Sequence, residues 1–297
     1  MTASNVFLFA KKARLQIFLL ALAALYFLSA PKSEKSFKTA LLNPKYDVDQ
    51  IFLSDPQNGS LELKKVGSFW FGQKEFLANS QDSLCFVCDS FMVQSFIKAL
   101  KNIVRVYEVS GKKNLKAFGL QEGQSFLLRA KKDGKEVTCV NFGSVDSQKR
   151  IFFCVPKRQK IFSVQSDFLI PYISTDPSLW ASPEIFPKSL VGADKKYRRG
   201  KIALESGAPG LALERGAGLP LLAQNVNWQG ATVKTFDAQD GNVYRAYFLP
   251  KTDGDYYYWL NVSPSAQRTQ QEKEALKKIN AVFNVSSWTF ERVMEQE

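Results

Sequence analysis

The sequence predicts an α+β protein, mainly antiparallel sheets with a few packing helices, preceded by one N-terminal transmembrane helix. Three observations predict it. Residues 15–30 read LQIFLLALAALYFLSA, an apolar run behind Lys11, Lys12 and Arg14 and ahead of Pro31 and Lys32. Short aromatic-rich runs such as Phe69-Trp70-Phe71 and Ile151-Phe152-Phe153 recur, and aromatic and β-branched residues favour strands. The turn pairs Asn58-Gly59, Asp133-Gly134, Asp240-Gly241 and Asp253-Gly254 fall between such runs at hairpin spacing.

The apolar run comes first. A helix of about 17 residues rises roughly 25 Å, near the lower limit for a bilayer's hydrocarbon core. A cleaved secretory signal needs small residues before the cut, whereas this run ends Leu28-Ser29-Ala30-Pro31. Leu28 is too large and Pro31 a poor fit, so the reading is a retained anchor. Lys and Arg flank the run equally, but the N-terminal tail is short and has no acidic residue. This favours an inside N-terminus and a large extracytoplasmic domain, a single-pass protein of the cytoplasmic (inner) membrane.

The remaining elements follow in order. Residues 33–46 are polar and basic and read as a juxtamembrane linker. Strands are predicted at 49–54, 60–66 and 68–72. A helix spans 89–103, where Val93, Phe96, Ile97, Leu100 and Val104 recur at helical spacing and Asp89 or Ser90 can cap the start. A strand at 105–110 and a short helix at 112–118, ended by Gly119, lead to four strand-like runs at 125–131, 135–142, 150–156 and 160–165. Residues 167–174 are read as helical. The segment 176–190 contains Pro177, Pro183 and Pro187 and is read as the join between two halves, 47–175 and 176–297. In the second half, strands are expected at 201–205, 210–215, 232–237, 242–249 and 256–262. A helix over 265–283 and a short strand or turn around Trp288 and Phe290 complete it. Both halves set strands around a helix, but no residue-level repeat links them.

Composition narrows the function. Without residues 1–32 the chain still has length for a substantial core, and 45% of all residues are hydrophobic. The formal charge is +12. The anchor's basic flank accounts for three of these charges, leaving about +9 on the rest, enough to attract anionic headgroups or an acidic partner. The densest cluster is Lys195, Lys196, Arg198, Arg199 and Lys201, read as a partner or headgroup surface or else as a solvated loop. No nucleic-acid signature accompanies it. Histidine is absent, which removes Ser-His-Asp and Cys-His catalysis and histidine metal ligation.

Four cysteines remain. Cys85 and Cys88 form C-x-x-C without a second close pair, so apolar core cysteine is the plain reading, ahead of a disulfide, redox or metal role. Cys139 and Cys154 flank one predicted hairpin. They are read as a cross-strand disulfide if the register sets them face to face, or as core residues if it slips. Residues 207–218 are glycine-rich but lack the phosphate-loop ending. Tyr256-Tyr257-Tyr258-Trp259 forms a ladder whose alternate members face opposite sides. Its exposed pair can meet a glycan, a peptide or a membrane interface, or simply pack a sheet. No catalytic residue, cofactor site, metal site or small-molecule substrate is assigned.

Over 51–165 the order of elements resembles the bacterial domain-of-unknown-function family 4340. The motifs are Phe69-Trp70-Phe71, the helix with Val93, Phe96, Ile97 and Leu100, and the turn Phe118-Gly119-Leu120. Asn141-Phe142-Gly143 follows, and then Phe152-Phe153-Cys154-Val155 facing Lys160-Ile161-Phe162-Ser163-Val164. The family usually has tyrosine where Phe118 stands. The resemblance implies a non-enzymatic, membrane-anchored accessory subunit of ABC-type transport or gliding-motility machinery. Its partners would be a permease or a second extracytoplasmic subunit. The alternatives are a membrane-anchored, carboxylate-dependent enzyme on envelope polymers, or a free-standing module that binds envelope glycan or lipid.

Overall fold

The computed structural model describes residues 35–76, 83–156, 160–187, 190, 203–204, 221–237 and 241–295. Ten strands form the first sheet: β1 (Ser36–Thr39), β2 (Gln50–Asp55), β3 (Gly59–Val66), β4 (Phe69–Glu75), β5 (Leu84–Val87), β6 (Val104–Gly111), β7 (Phe126–Lys132), β8 (Lys135–Val145), β9 (Arg150–Cys154) and β10 (Lys160–Gln165). Their order is β1-β6-β10-β9-β8-β7-β2-β3-β4-β5, and every pairing is antiparallel. Two meanders, β2 to β5 and β7 to β10, join where β7 pairs with β2. Register follows the apolar pattern. Ile51 lies opposite both Leu63 and Ala130, and Leu53 opposite Leu61 and Leu128, all buried. A slip of one residue would turn this whole row toward water.

Five strands form the second sheet: β11 (Ala203–Leu204), β12 (Thr232–Asp237), β13 (Val243–Pro250), β14 (Tyr256–Ser263) and β15 (Val282–Val285). Their order is β11-β15-β14-β13-β12. The helices are α1 (Ser90–Lys101), α2 (Pro177–Trp180), α3 (Gln270–Lys277) and α4 (Ser287–Met294). In α1 the Asp89 side chain accepts from Phe91 N, and Val93, Phe96, Ile97 and Leu100 turn inward. The Phe96 ring stacks on Tyr172 at 5.3 Å and meets Trp180 at 5.5 Å.

Residues from both sheets enter one core that runs from Leu42 to Val293. Each fully buried leucine or phenylalanine contributes about 1.5–3 kcal/mol. The free edge of β5 is covered. Ser182 N donates to Val87 O, Asp89 N donates to Trp180 O, and the backbone N–H groups of Asn280 and Ala281 both donate to Cys85 O. An uncovered row of such groups would invite a second chain.

The transmembrane expectation is corrected here. No helix among the described residues is long and apolar enough to cross a membrane. The longest, α1, has 12 residues, about 18 Å against a hydrocarbon core of about 30 Å. The run at 15–30 lies outside the described residues. The single-pass inner-membrane location, the membrane-held partner arrangement and the transport or motility subunit have no described element to stand on, and are carried no further. The α+β class with antiparallel sheets is present. Smaller differences concern elements. The helix expected over 265–283 ends at Lys277 and gives way to β15, and the strand or turn expected at Trp288 is α4. Residues 36–39, read as linker, form β1.

Candidate functional site

The aromatic ladder divides as a strand must. In β14, Tyr258 is buried and its hydroxyl donates to Ile185 O. Burial pushes its phenol well above the ordinary value. Tyr256, on the same side, stacks on Phe290 at 4.0 Å. Tyr257 and Trp259 point to the opposite face and are half-buried. The neighbouring β13 alternates likewise: Tyr244, Ala246 and Phe248 are buried, while Arg245, Tyr247 and Leu249 lie on the outer face.

On that outer face Tyr247 lies opposite Trp259. Their rings stack at 5.0 Å with an interplanar angle of 29°. A third ring arrives from another segment. Residues 221–223 run beside β15, where Val282 N donates to Leu221 O and Ala223 N to Asn280 O. The turn at Ala223–Asn225 then brings Trp228 against Trp259 at 5.6 Å and against Tyr247 at 6.1 Å. Both indole N–H groups donate inward, from Trp228 to Ala223 O at 2.9 Å and from Trp259 to Ile279 O at 3.1 Å. These bonds fix the rings' orientation, and what the three half-buried rings leave to an outside molecule is carbon surface.

Polar groups border the rings. Arg245 lies two residues before Tyr247, opposite Asn261, and its Nη1 donates to Ser263 Oγ at 2.7 Å. Beyond Tyr257, Lys251 Nζ lies 5.1 Å from that ring's centre and donates to Asn284 Oδ1 at 3.1 Å. Asn284 Nδ2 in turn donates to Asp255 Oδ2 at 3.0 Å. An aromatic cluster with amide, hydroxyl and guanidinium groups at its margin can bind a ligand that is apolar on one face and polar at its rim.

Lys195, Lys196, Arg198, Arg199 and Lys201 lie outside the described residues. Cys139 and Cys154 are on adjacent strands, but β9 sets Cys154 opposite Asn141, two residues further along β8 than Cys139. They are diagonal neighbours, about 7–8 Å apart by strand geometry, beyond the usual Cα span of a disulfide. Cys85 and Cys88 are buried, and burial pushes both thiols up, away from nucleophilic use. Two part-buried carboxylates sit in ion pairs, Glu272 with Arg268 and Asp146 with Arg150. Burial pushes Glu272 up, but hydrogen bonds from Thr269 and the Arg268 guanidinium outweigh it and hold the carboxyl below its usual range. Asp146 is held low by Arg150 and Gln148 against the same opposing effect. Neither suits a general acid. Among the described residues no cluster is arranged to hold a metal ion.

Trp228, Tyr247 and Arg245 are not among the sequence candidates. The period-two alternation of Val243–Pro250 carries the signal for Arg245 and Tyr247, because it puts both on the face of Trp259. Trp228 lies in an irregular segment with no period to place it. Compared with known proteins, the chain matches no family model, no curated protein and no solved structure.

Proposed function

We propose that the protein is a free-standing, non-enzymatic module that binds carbohydrate on the outer face of the second sheet. One observation carries this reading. Trp228, Tyr247 and Trp259 form a three-ring cluster on the face of the sheet opposite its core, bordered by Arg245, Asn261 and Asn284. A pyranose ring presents weakly positive C–H groups on one face and hydroxyls around its edge. The C–H face suits the electron-rich face of an aromatic ring, and the hydroxyls suit the bordering amides.

The test is affinity electrophoresis of the full chain through gels containing soluble polysaccharides, with tryptophan emission followed in parallel. At least one polymer should retard the protein and shift its emission. Stacking on one ring is worth about 1 kcal/mol or more, so Trp259→Ala should weaken retention by about fivefold or more. Trp228→Ala should act in the same direction. Retention unchanged in a folded double variant, or no retention by any polymer, would show that the rings only brace the sheet.

A further inference from the structure

Arg245 differs from four cations that hold an ion pair. Arg150 pairs with Asp146, Arg268 with Glu272, Lys160 with Glu108 and Lys251 with Asp253. The polar contact of Arg245 among the described residues is one neutral hydrogen bond, to Ser263 Oγ at 2.7 Å. Its neighbours across the strands are Thr235 on β12 and Asn261 on β14, both uncharged. The residue is half-buried in the face of a sheet, on a strand that fixes its Cα. It stands two residues from Tyr247, about 7 Å along the strand and on the same face. A guanidinium offers five donors in a planar fork, and the bond to Ser263 uses one.

We infer that Arg245 recognises a carboxylate on the sugar next to the one stacked on Trp228, Tyr247 and Trp259, so that the ligand is an acidic, uronate-type polysaccharide. The inference rests on the carbohydrate reading of this face. The substituent of a neighbouring sugar unit falls within the reach of an arginine side chain about 7 Å along the strand from the stacking ring. The planar carboxylate matches the guanidinium fork in a bidentate pair. The chain's formal charge of +12 acts in the same sense, drawing a polyanion toward the molecule before contact.

The experiment compares full-chain protein on polygalacturonate, on the same polymer fully methyl-esterified, and on a sulfated polysaccharide. The ester keeps the rings and removes the charge. Wild type should bind polygalacturonate about tenfold or more tightly than the ester at low salt, with the difference shrinking as salt is added. Arg245→Gln, which keeps a donor for Ser263, should lose that preference and bind the acid no more tightly than the ester. Arg245→Lys should recover part of it, because a point charge replaces the fork. Binding to acid and ester alike, or a preference that Arg245→Gln leaves intact, overturns the role of Arg245 and leaves the carbohydrate reading standing. Tighter binding to the sulfated polymer overturns the assignment of a carboxylate. Binding to none of the three by the folded protein sinks both.

Discussion

At the scale of single residues, Lys74 is the most exposed to a pH test. It sits on β4 with its side chain on the core face beside Leu61 and is 3% accessible. Its ammonium donates to Asn58 O and, at 2.9 Å, to Thr175 Oγ1. Burial lowers its pKa from 10.5 to about 8, against the opposing pull of Asp55 and Asp176. Below about pH 8 the lysine is charged in both folded and unfolded chains, and the cost of burying that charge is fully present. Between about pH 8 and 10.5 the folded protein gives up the proton first, so this cost fades and the lysine's contribution to stability rises with pH. Tyr258, Cys85 and Cys88 are buried acids with raised values and pull total stability the other way at high pH. The comparison is therefore between wild type and Lys74→Met at each pH. From pH 7.5 to 10, urea titrations should show the variant losing roughly 1–3 kcal/mol relative to wild type. A difference that stays constant would mean the ammonium is solvated.

At the scale of elements, legibility tracked whether the deciding signal was local. Asp89 capping α1 and the alternation of Thr232–Asp237 and Tyr256–Ser263 are local patterns, and the structure reproduces those elements closely. Residues 265–283 went wrong because Ala275, Leu276, Ile279 and Phe283 fit a helical period by accident. The true start was readable as the capping box Thr269 to Glu272, and the stop lay in the β-branched rhythm of Val282–Val285. The short helix α4 depends on distant partners, Phe290 packing on Phe248 and Tyr256, and no local pattern could supply those. The aromatic face of the second sheet is half legible for the same reason. The ladder in β14 announced Trp259, but Trp228 joins it only through the fold. Two motifs read separately, Phe118-Gly119-Leu120 and Asn141-Phe142-Gly143, prove to pack on each other. A Cβ on Gly143 would lie 2.0 Å from Phe118 O, a backbone atom that no side-chain rotation can clear. Gly119, with φ +65°, closes the same contact from the other side. Gly143→Ala should therefore cost about 1–3 kcal/mol in urea midpoint analysis. An unchanged midpoint would mean the turn at Phe118 is free to move away.

At the scale of the molecule, Asn280 decides whether the two sheets behave as one cooperative unit. It lies between α3 and β15 in the second sheet's part of the chain, yet its hydrogen bonds go to the first sheet. Its Oδ1 accepts from Cys85 N at 2.7 Å, and its Nδ2 donates to Ser83 O at 2.9 Å. Its own N–H and that of Ala281 donate to Cys85 O. One carboxamide thus completes the backbone pairing of β5, the edge strand whose residues Leu84, Cys85, Phe86 and Val87 are all buried. In Asn280→Ala, Cys85 N and Ser83 O lose their partners where water has little access. Leaving two such groups unsatisfied costs about 2–4 kcal/mol. Asn280→Asp keeps an acceptor for Cys85 N but sets a carboxylate against Ser83 O, so it should rescue little. The continuous core adds a second expectation. Loss of this clasp should lower the stability of both sheets together, because neither can open without exposing the apolar face of the other. Hydrogen exchange followed by mass spectrometry separates the outcomes. In Asn280→Ala, peptides from β4–β5 and from β13–β14 should lose protection by similar factors, within one unfolding transition. Faster exchange confined to β5, or two separate transitions, would show that the sheets fold independently and that Asn280 stabilises only the edge it touches.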